Sequence, residues 1–569
     1  MPKRSWLNYR SLIPILIASF TVIAVACGSS ATAVPAATAA PTTALVPTAS
    51  PVARAAPTGA AQVNAGRLKF ITKPPSAESN DPYLVTGTGG LFPTATHMWE
   101  YLIGLDRRTA AYVPMLATEW TMREDGKAWT VKLRKGVQWH GGFGEFTAKD
   151  VVHSFERLIR PESVQVNVGY WRKTLARIEV VNDYEVVFHL NTVEPEWFHP
   201  ASRFWDGVMI SKAQFDKEGQ EGLLNNPVAT GPFQHDKRTL GVGVLTRRVS
   251  SPHWRVQSDW EEIEYTFARE NLSRLAALLT GAADIADDIP GDLQPGALAK
   301  GMKTVISSIP AGGYIGQFGG NYPVNSDSYN SSAPLANPLV RKALNLAINR
   351  QEIIDAIFQG RYKPVIVPFV DKTHAEFKPE WEAQFKENFG YDPQRARSLL
   401  KEAGYPNGFT VTVQMQAQSG APQQDEVAEA VASYWQAIGV DAKLQTIDYG
   451  LSLSEFRDRK KQDKAWVQMA VYRPPWNRIG IFNTEAGVVH GYESEFIEQK
   501  WAELQRTVDA GGRIEIQRAI IDHLLKESAH FPLMWTFAEF MINPKVVAEY
   551  VTLGFSGPGE AEYARAAQK

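Results

Sequence analysis

The sequence predicts an α/β fold, and three observations support that prediction. Short runs alternate apolar and polar residues, as in "AWTVKLRKGVQW", where Trp129, Val131 and Leu133 face one way and predict a half-buried strand. Amphipathic helical patterns with capping residues alternate with such runs through the second half of the chain. The chain has 569 residues, of which 44% are hydrophobic, enough to bury the cores of several domains. Helices and strands that alternate over a long stretch are typical of an α/β lobe.

The folded body is expected to begin near Gly66 with a short apolar strand at residues 68–72. The alternating strand described above ends in a turn at Gly136. In "FTAKDVVHSFERLI", which follows, Thr147 and Asp150 have the spacing of a capping box. The apolar residues after them repeat with the period of one helix face. A strand followed by an amphipathic helix is therefore expected in this region.

The second half of the chain repeats helix and strand units with clearer end signals. "NPLVRKALNLAINRQEIIDAIFQG" predicts a helix from the Asn337 cap to a stop at Gly360. "YDPQRARSLLKEAGYPNGFTVTVQM" predicts a helix capped by Asp392 and closed by Gly404, and then a strand at residues 410–415. "EVAEAVASYWQAIGVDAKLQTID" predicts another helix followed by a strand. These units favour an α/β lobe.

Composition and missing motifs exclude several classes of function. The 59 basic and 61 acidic residues give a net charge of -2, which provides no basic field for nucleic acid. The single cysteine excludes an internal disulfide framework and thiolate-held metal clusters. The motifs G-x-S-x-G, H-E-x-x-H and G-x-x-x-x-G-K-[ST] are absent, so nothing points to hydrolase, zinc-protease or nucleotide chemistry. We expect a protein that is not an enzyme and that uses no cofactor or metal.

Residues 1–26 have the organisation of a bacterial signal peptide. Three basic residues precede an apolar run at residues 12–26, which is too short for a membrane span of about 20 residues. "AVACG" at the end of this run resembles a lipobox. The resemblance implies cleavage before Cys27 and lipidation of its sulfur. An ordinary secretory signal cleaved near Ala26, or a simple anchor helix, is the alternative.

Residues 27–65 are expected to form a flexible tether. After the cysteine they are almost entirely Ala, Thr, Pro, Ser, Gly and Val, with Arg54 as the only charge. Such a composition lacks the large apolar side chains that repay the entropy of ordering. A tether is useful where one end is anchored and a folded body must stand off the membrane. The predicted location is the extracytoplasmic face of the cell membrane, in the periplasm or at the cell surface, with a lipid anchor at Cys27.

Six segments carry a resemblance to a known family. In chain order they are "PMLATEWTMREDGKAWTVKLRKGVQWHGG", "FTAKDVVHSFERL", "NPVATGPF", "NPLVRKALNLAINRQEIIDAIFQGRYKP", "YDPQRARSLLKEAGYPNGF" and "AVASYWQAIGVDAKL". They resemble the family 5 extracellular solute-binding proteins of bacterial ABC importers, which include dipeptide, oligopeptide and nickel binding proteins. The resemblance extends from about residue 80 to about residue 537.

The resemblance implies a two-lobed periplasmic-binding-protein clamshell of class II, cluster C type. In that architecture two α/β lobes are joined by two crossing strands, a subdomain is inserted in lobe one, and the ligand is enclosed between the lobes. On this chain the implied limits are residues 66–99, 225–308 and 526–569 for lobe one, 100–224 for the inserted subdomain and 309–525 for lobe two. The implied mechanism is closure on the ligand, driven by the ligand's preference for the closed form.

The chain departs from its peptide-binding relatives at residues 466–480. Such relatives typically carry an acidic tract after a strand of lobe two, where an aspartate pairs with the ammonium group of the peptide. Here the segment reads "WVQMAVYRPPWNRIG" and contains no acid. Arg473 and Arg478 favour a carboxylate, phosphate or neutral polar ligand over a free peptide amine, and Tyr472 and Trp476 are suited to stack on a sugar face, an aromatic ring or a cationic group. The alternative is that these side chains pack under a surface loop.

Further candidates lie in the segments expected near the lobe crossings. Glycines in "GGYIGQFGGNYP" would let the backbone approach a ligand closely. Ordinary core or strand packing is the alternative for every candidate of this group. The additional candidate ligand-binding residues are Trp205, Tyr314, Gln317, Asn321, Asn477 and Trp535.

The function expected from the sequence is that of a receptor that encloses a small solute and delivers it to the membrane permease of an ABC importer. The expected ligand is carboxylate-bearing, an oligosaccharide or another polar or aromatic solute, rather than a simple cationic peptide. Alternatives are an oligopeptide or dipeptide receptor, a sensor receptor on the same fold and, least favoured, a hydrolase. The resemblance implies a monomer with permease subunits as partners and no nucleic acid.

Overall fold

The computed structural model describes most of the chain after the tether. The described residues are 65–75, 78–85, 97–165, 168–202, 207–416, 421, 423–553 and 559–568. The predicted signal peptide, Cys27, the tether up to residue 64 and the candidate Trp205 lie outside these residues.

The strands of the described residues are numbered in chain order. They are β1 Arg67–Thr72, β2 Ile103–Leu105, β3 Tyr112–Pro114, β4 Ala117–Met122, β5 Ala128–Leu133, β6 Leu175–Asn182, β7 Glu185–Leu190, β8 Phe233–Thr239, β9 Gly243–Arg248, β10 Glu262–Phe267, β11 Ile285–Asp287, β12 Lys303–Ile306, β13 Gly312–Phe318, β14 Lys363–Pro364, β15 Thr410–Met415, β16 Asp441–Thr446, β17 Lys464–Val471, β18 His530–Thr536, β19 Glu539–Ile542, β20 Val547–Glu549 and β21 Arg565–Ala566.

The α-helices are numbered in the same way. They are α1 Ala148–Leu158, α2 Val168–Thr174, α3 Lys212–Asn225, α4 Asn271–Thr280, α5 Gln294–Leu298, α6 Pro338–Leu346, α7 Arg350–Phe358, α8 Glu380–Phe389, α9 Pro393–Glu402, α10 Gln424–Ala437, α11 Tyr449–Arg457, α12 Pro475–Asn483, α13 Glu495–Arg506 and α14 Ala510–Lys526. Short 3₁₀ turns lie at Pro82–Leu84, His140–Gly142, Pro334–Ala336 and Ala561–Tyr563.

Two large mixed sheets form the centres of the two lobes. The sheet of lobe one has seven strands in the order β12-β19-β11-β1-β10-β9-β8, with β1 parallel to both β10 and β11. The sheet of lobe two has six strands in the order β14-β18-β13-β17-β15-β16. Helices α6, α7 and α10 pack their apolar residues on the second sheet. The predicted α/β class is confirmed.

The chain passes between the two sheets twice. Strand β12 belongs to the seven-stranded sheet and β13 to the six-stranded sheet, so the first crossing lies at residues 307–311. Strands β18 and β19 make the return, which places the second crossing at residues 537–538. The two crossings touch, because the Ser307 N–H donates to the Ala538 carbonyl at 2.9 Å.

The return crossing corrects one sequence-based limit. Residues 526–569 were assigned to lobe one, whereas β18 pairs with β13 and β14 in the lobe-two sheet. Every residue of β18 is buried, so the strand shows no alternation that would indicate which sheet covers it. The chain therefore returns to the lobe-one sheet only at β19. The other predicted limits stay predictions.

The inserted subdomain has a sheet and a core of its own. Its four strands are ordered β4-β5-β7-β6, and the residues Trp129, Val131 and Leu133 of β5 are all buried, as the alternation predicts. Helix α1 begins at the predicted capping box, where the Asp150 carboxylate accepts from the Thr147 N–H at 2.8 Å. The helix and sheet enclose one apolar cluster.

The pattern that predicted one long helix up to Gly360 forms two helices. Helix α6 starts at the predicted Asn337 cap, whose side chain accepts from the Leu339 N–H at 2.9 Å. It ends at Leu346, and the side chain of Asn349 caps α7 by accepting from the Glu352 N–H at 3.3 Å. Asn favours such caps over helix interiors because its side chain competes for backbone N–H groups. Asn349 is therefore the sequence signal for the break between α6 and α7, but the apolar periodicity continues across it.

A buried ionic network fastens the carboxyl-terminal residues to lobe one. Arg255 donates from Nε to Glu100 Oε1 at 2.8 Å and from Nη1 to Glu562 Oε1 at 2.9 Å. The same guanidinium donates to the Tyr563 hydroxyl at 2.9 Å. Both carboxylates are fully buried. Burial raises the pKa of Glu100, although the adjacent Arg255 charge opposes that shift.

Candidate ligand site between the lobes

The segment that follows β17 lies beside the first crossing. The Tyr472 N–H donates to the Ala311 carbonyl at 2.9 Å, which attaches the end of β17 to the residues between the lobes. The chain then turns through two prolines, and α12 begins at Pro475. The predicted candidates Arg473, Trp476 and Asn477 therefore lie on this turn and on the first turn of α12.

An aromatic group surrounds Tyr472 on the lobe-two side. The Tyr472 ring stacks on His374 with ring centroids 4.7 Å apart and an angle of 8° between the planes. Its hydroxyl lies 2.7 Å from the Thr373 hydroxyl. Trp535 of β18 meets the same ring edge-on at 6.3 Å. The structure thus brings two predicted residues, Tyr472 and Trp535, together with His374, which the sequence did not indicate.

Residues of the inserted subdomain face this aromatic group from the other side of the cleft. The Tyr112 hydroxyl of β3 lies 2.6 Å from His199 Nδ1, and the His199 ring meets the Trp476 ring edge-on at 5.9 Å. His199 belongs to the inserted subdomain and Trp476 to lobe two, so this contact spans the two lobes. Burial, followed by the positive charge of Arg473, lowers the pKa of His199 well below its usual value.

The lobe-two wall of the candidate site consists of His374, Tyr472, Arg473, Trp476 and Arg478. Its two arginines make it positively charged. Arg478 donates from Nη2 to the Val471 carbonyl. Burial, followed by the nearby positive charge of Arg473, lowers the pKa of Arg478 to about 9. Among the described residues no carboxylate forms an ion pair with Arg478. A cation next to another cation, without a carboxylate partner, is destabilised in its charged form.

Three buried N–H groups of this wall lack an acceptor. They are Nε of Arg478, Nε1 of Trp476 and Nε2 of His374, none of which has a hydrogen-bond partner among the described residues. His374 Nδ1 accepts from the Asp371 N–H at 3.0 Å, and burial lowers the pKa of His374 to about 4. The neutral ring therefore carries its proton on Nε2. All three atoms are donors, so the partner that would satisfy them is an acceptor.

Three predicted ligand-binding residues are structural instead. Tyr314 is fully buried in the core of lobe two and stacks on Phe358 of α7. The Gln317 Oε1 atom lies 2.7 Å from His530 Nδ1 inside the same lobe. The Asn321 Oδ1 atom accepts from Arg341 Nη1 at 2.7 Å.

For Tyr314 and Gln317 the physical reason is the position of β13, whereas Asn321 lies three residues beyond that strand. The strand has neighbours on both sides, β17 and β18, and all seven of its residues are buried. Its glycines serve close packing rather than ligand access, since a Cβ on Gly316 would lie 1.9 Å from the Phe531 ring. The remaining candidates stay predictions. Asn477 is half-buried on the first turn of α12, and Trp205 lies outside the described residues.

Sequence reasoning missed Tyr112, His199, Thr373 and His374. Tyr112 lies in a three-residue strand, and the others lie in turns, where no periodic pattern identifies a functional face. The only available signal was the order of segments, which predicts that the inserted subdomain faces lobe two without naming the residues.

The comparisons with known proteins agree with this architecture. The family model of bacterial extracellular solute-binding proteins, family 5 (middle region), matches residues 111–486. The chain belongs to this family. The predicted family and the two-lobe fold are thereby confirmed.

Curated relatives and solved structures extend the family match to most of the chain. The glutathione-binding protein GsiB of Salmonella choleraesuis (strain SC-B67) is 27% identical over 476 residues, which cover 80% of this chain and 86% of that protein. The structure of HbpA2 from Haemophilus parasuis superposes with a TM-score of 0.75 at 20% identity, covering 89% of this chain and 100% of that one. The nickel ABC transporter structure from Bacillus halodurans has a TM-score of 0.69 at 21% identity, with 86% and 97% coverage.

Family 5 membership gives the general role and location. Its members are extracytoplasmic receptors that bind solutes and deliver them to ABC permeases. In the described part of the chain, no helix combines the length and the apolar character that crossing a bilayer requires. The same part holds no cluster of three or more His, Cys, Asp or Glu residues that could bind a metal ion.

Proposed function

We propose that this ABC-importer receptor binds a small anionic solute, with a carboxylate or similar oxyanion placed against Arg478, Trp476 and His374. The observation that carries the proposal is the set of three buried N–H donors without an acceptor on the lobe-two wall. Buried polar groups in folded proteins are nearly always hydrogen-bonded. A bound oxyanion would supply the missing acceptors and also the negative charge that Arg478 lacks.

The chemistry of the wall favours an anion over an amine. Guanidinium, indole N–H and this tautomer of His374 all donate, and none can accept from an ammonium group. Charge-assisted hydrogen bonds from arginine to a carboxylate or phosphate are roughly twice as strong as neutral ones. The rings of Tyr472, Trp476 and Trp535 add apolar surface for the body of the solute.

The name of one relative supports the same class. GsiB is described as a glutathione-binding protein, and glutathione carries two carboxylates and one ammonium group. At 27% identity the two chains can differ in ligand, so glutathione serves here as a probe of the class. The non-enzyme interpretation is part of the proposal, and incubation of the solute with the protein is expected to leave the solute chemically unchanged.

A thermal-shift screen tests the proposed ligand class. We expect glutathione or a small dicarboxylate to raise the melting temperature, because a ligand specific for the native state stabilises it by about 2.7 kcal/mol at 100 times its Kd. A neutral disaccharide and a dilysine peptide are the matched neutral and cationic probes. Stabilisation by dilysine, with none by any anion, would contradict the proposal.

We further propose that Cys27 is the lipid anchor of the receptor. It is the only cysteine of the chain, and 37 residues lie between it and the first described residue, Ala65. A flexible segment of that length spans about 35 Å on average, enough to hold the lobes clear of the lipid headgroups. Two or more acyl chains contribute about 0.8 kcal/mol per buried methylene, so anchoring would be stable.

Cys27→Ala is expected to release the protein from membranes and to abolish labelling by radioactive palmitate. Since the chain has no other thiol, no second site can accept the thioether. Ser29→Ala, two residues away, is the control and should remain membrane-bound and labelled. Labelling that persists in Cys27→Ala would show that the anchor lies elsewhere.

A further inference from the structure

The inserted subdomain also touches lobe two at a point that carries none of the proposed ligand-binding groups. Arg513, on the first turn of α14, donates from Nε to Glu196 Oε1 of the inserted subdomain at 3.1 Å. Both side chains are largely buried. Arg513 is itself fixed within lobe two, because its Nη1 donates to the Leu504 carbonyl at 2.6 Å and to the Thr507 carbonyl at 3.1 Å.

Apolar contact accompanies this ion pair. A Cβ on Gly126, in the turn between β4 and β5, would lie 2.7 Å from Val193 and 3.3 Å from Val508. Val508 directly precedes Asp509, which caps α14 with its side chain. The edge of the inserted subdomain and the segment before α14 therefore lie close to van der Waals distance, and the ion pair belongs to the same interface.

A third charged group, Glu376, acts on the ion pair from the lobe-two side. Glu376 of lobe two is close enough to Glu196 for the charge of Glu196 to raise the pKa of Glu376, in addition to the larger effect of burial. Arg513 therefore lies with Glu196 where two carboxylates from opposite sides of the interface would otherwise repel each other. Glu376 also accepts a hydrogen bond from Gln517 and lies near Arg518 on the same helix.

We propose that Glu196 and Arg513 are positioning residues that hold the inserted subdomain against lobe two and so set the population of the closed cleft. Glu196 precedes His199 by three residues, and the His199 N–H donates to the Glu196 carbonyl at 2.9 Å. The ion pair therefore fixes the segment that presents His199 to Trp476. The inference rests on the proposed function in one respect, that the closed cleft is the ligand-binding form. Because the pair joins the inserted subdomain to lobe two, opening the cleft would break it, and a bond that is lost on opening shifts the equilibrium toward the closed form.

The two single variants are expected to differ in effect. Glu196→Gln removes the attraction to Arg513 together with the repulsion from Glu376. Arg513→Gln removes the cation of Glu196 while the charge of Glu196 still acts on Glu376, and it should open the cleft further. Adding Glu196→Gln to Arg513→Gln should then restore part of the closed population, because it removes the repulsion.

Electron-spin distance measurement tests the proposal without any ligand. The full-length chain carries Cys27→Ala, so that the only thiols for spin labels are those of Lys149→Cys in the inserted subdomain and Lys401→Cys in lobe two, both at exposed positions. We expect Glu196→Gln to raise the ratio of long to short distances by about fivefold or more, and Arg513→Gln to raise it further.

The control is Glu119→Gln in the same subdomain. Glu119 forms an exposed ion pair with Lys132 at 2.6 Å within the inserted subdomain, so the distance distribution of this variant should match the parent. The proposal is overturned if both Glu196→Gln and Arg513→Gln keep the parent distribution, or if Glu119→Gln opens the cleft equally. Glu196→Gln decides the question if Arg513→Gln does not fold. Because no ligand is present, failure here leaves the ligand screen as an independent test of the proposed function.

Discussion

Replacing Arg478 with methionine is expected to lower the affinity of the cleft for its anionic solute by at least about 30-fold. Truncating one partner of a buried, hydrogen-bonded charge pair costs about 2–5 kcal/mol, and each 1.4 kcal/mol is tenfold in Kd. Arg478 has a buried Nε without an acceptor and no carboxylate partner among the described residues, so the bound anion would be its main countercharge. Isothermal titration with the best anion from the thermal-shift screen measures the loss.

The same substitution should leave the ligand-free protein as stable as before, or more stable. Burial and Arg473 both disfavour the charge of Arg478, as its lowered pKa shows, and methionine removes that unfavourable term while filling similar space. A binding group that costs stability is common at functional sites. Arg457→Met, at an exposed position in the last turn of α11, is the matched control and should change neither property. A lower melting temperature in Arg478→Met with unchanged affinity would assign Arg478 a structural role.

The helices and strands could be predicted from the sequence because a cap or a strand pattern depends on only a few neighbouring residues. The strand at residues 410–415 and the helix caps at Asp392 and Asn337 occur where the sequence places them, since a cap depends on one side chain and the next backbone N–H groups. The side of the crossing on which β18 lies depends on pairing with β13, more than two hundred residues earlier in the chain. No local pattern contains that information.

The candidate site stays a prediction, but the position of its residues could be anticipated in part. The turn containing Tyr472, Arg473 and Trp476 follows a strand of lobe two, as the order of segments predicts, and lies beside the first crossing. Tyr314 and Gln317 were expected near the ligand because glycines surround them, but β13 is a central strand covered on both faces. A glycine in a strand indicates that another group comes close to the backbone, but it does not show whether that group is a ligand or a neighbouring ring.

Arg255→Met is expected to cause a large loss of stability. It leaves Glu100 and Glu562 buried without their shared cation, and breaking a buried ion pair in this way costs about 3–5 kcal/mol. It also frees the carboxyl-terminal residues, because Tyr563 loses the same donor. Urea denaturation followed by tryptophan fluorescence measures the change. Asp216→Asn, which breaks the exposed Lys212–Asp216 pair, is the control and should cost less than about 1 kcal/mol.

The loss in Arg255→Met should shrink as the pH falls from 8 toward 5. Burial already raises the pKa of Glu100 in the native protein against the opposing effect of Arg255, and without the arginine the pKa rises further. A carboxyl group whose folded pKa exceeds its unfolded pKa binds more protons in the folded state, so stability increases as the pH falls through the folded value. The penalty is complete only above the folded pKa, where the carboxylate is charged in both states. A deficit independent of pH would mean that lost packing of the arginine stem, rather than an uncompensated buried charge, limits the variant.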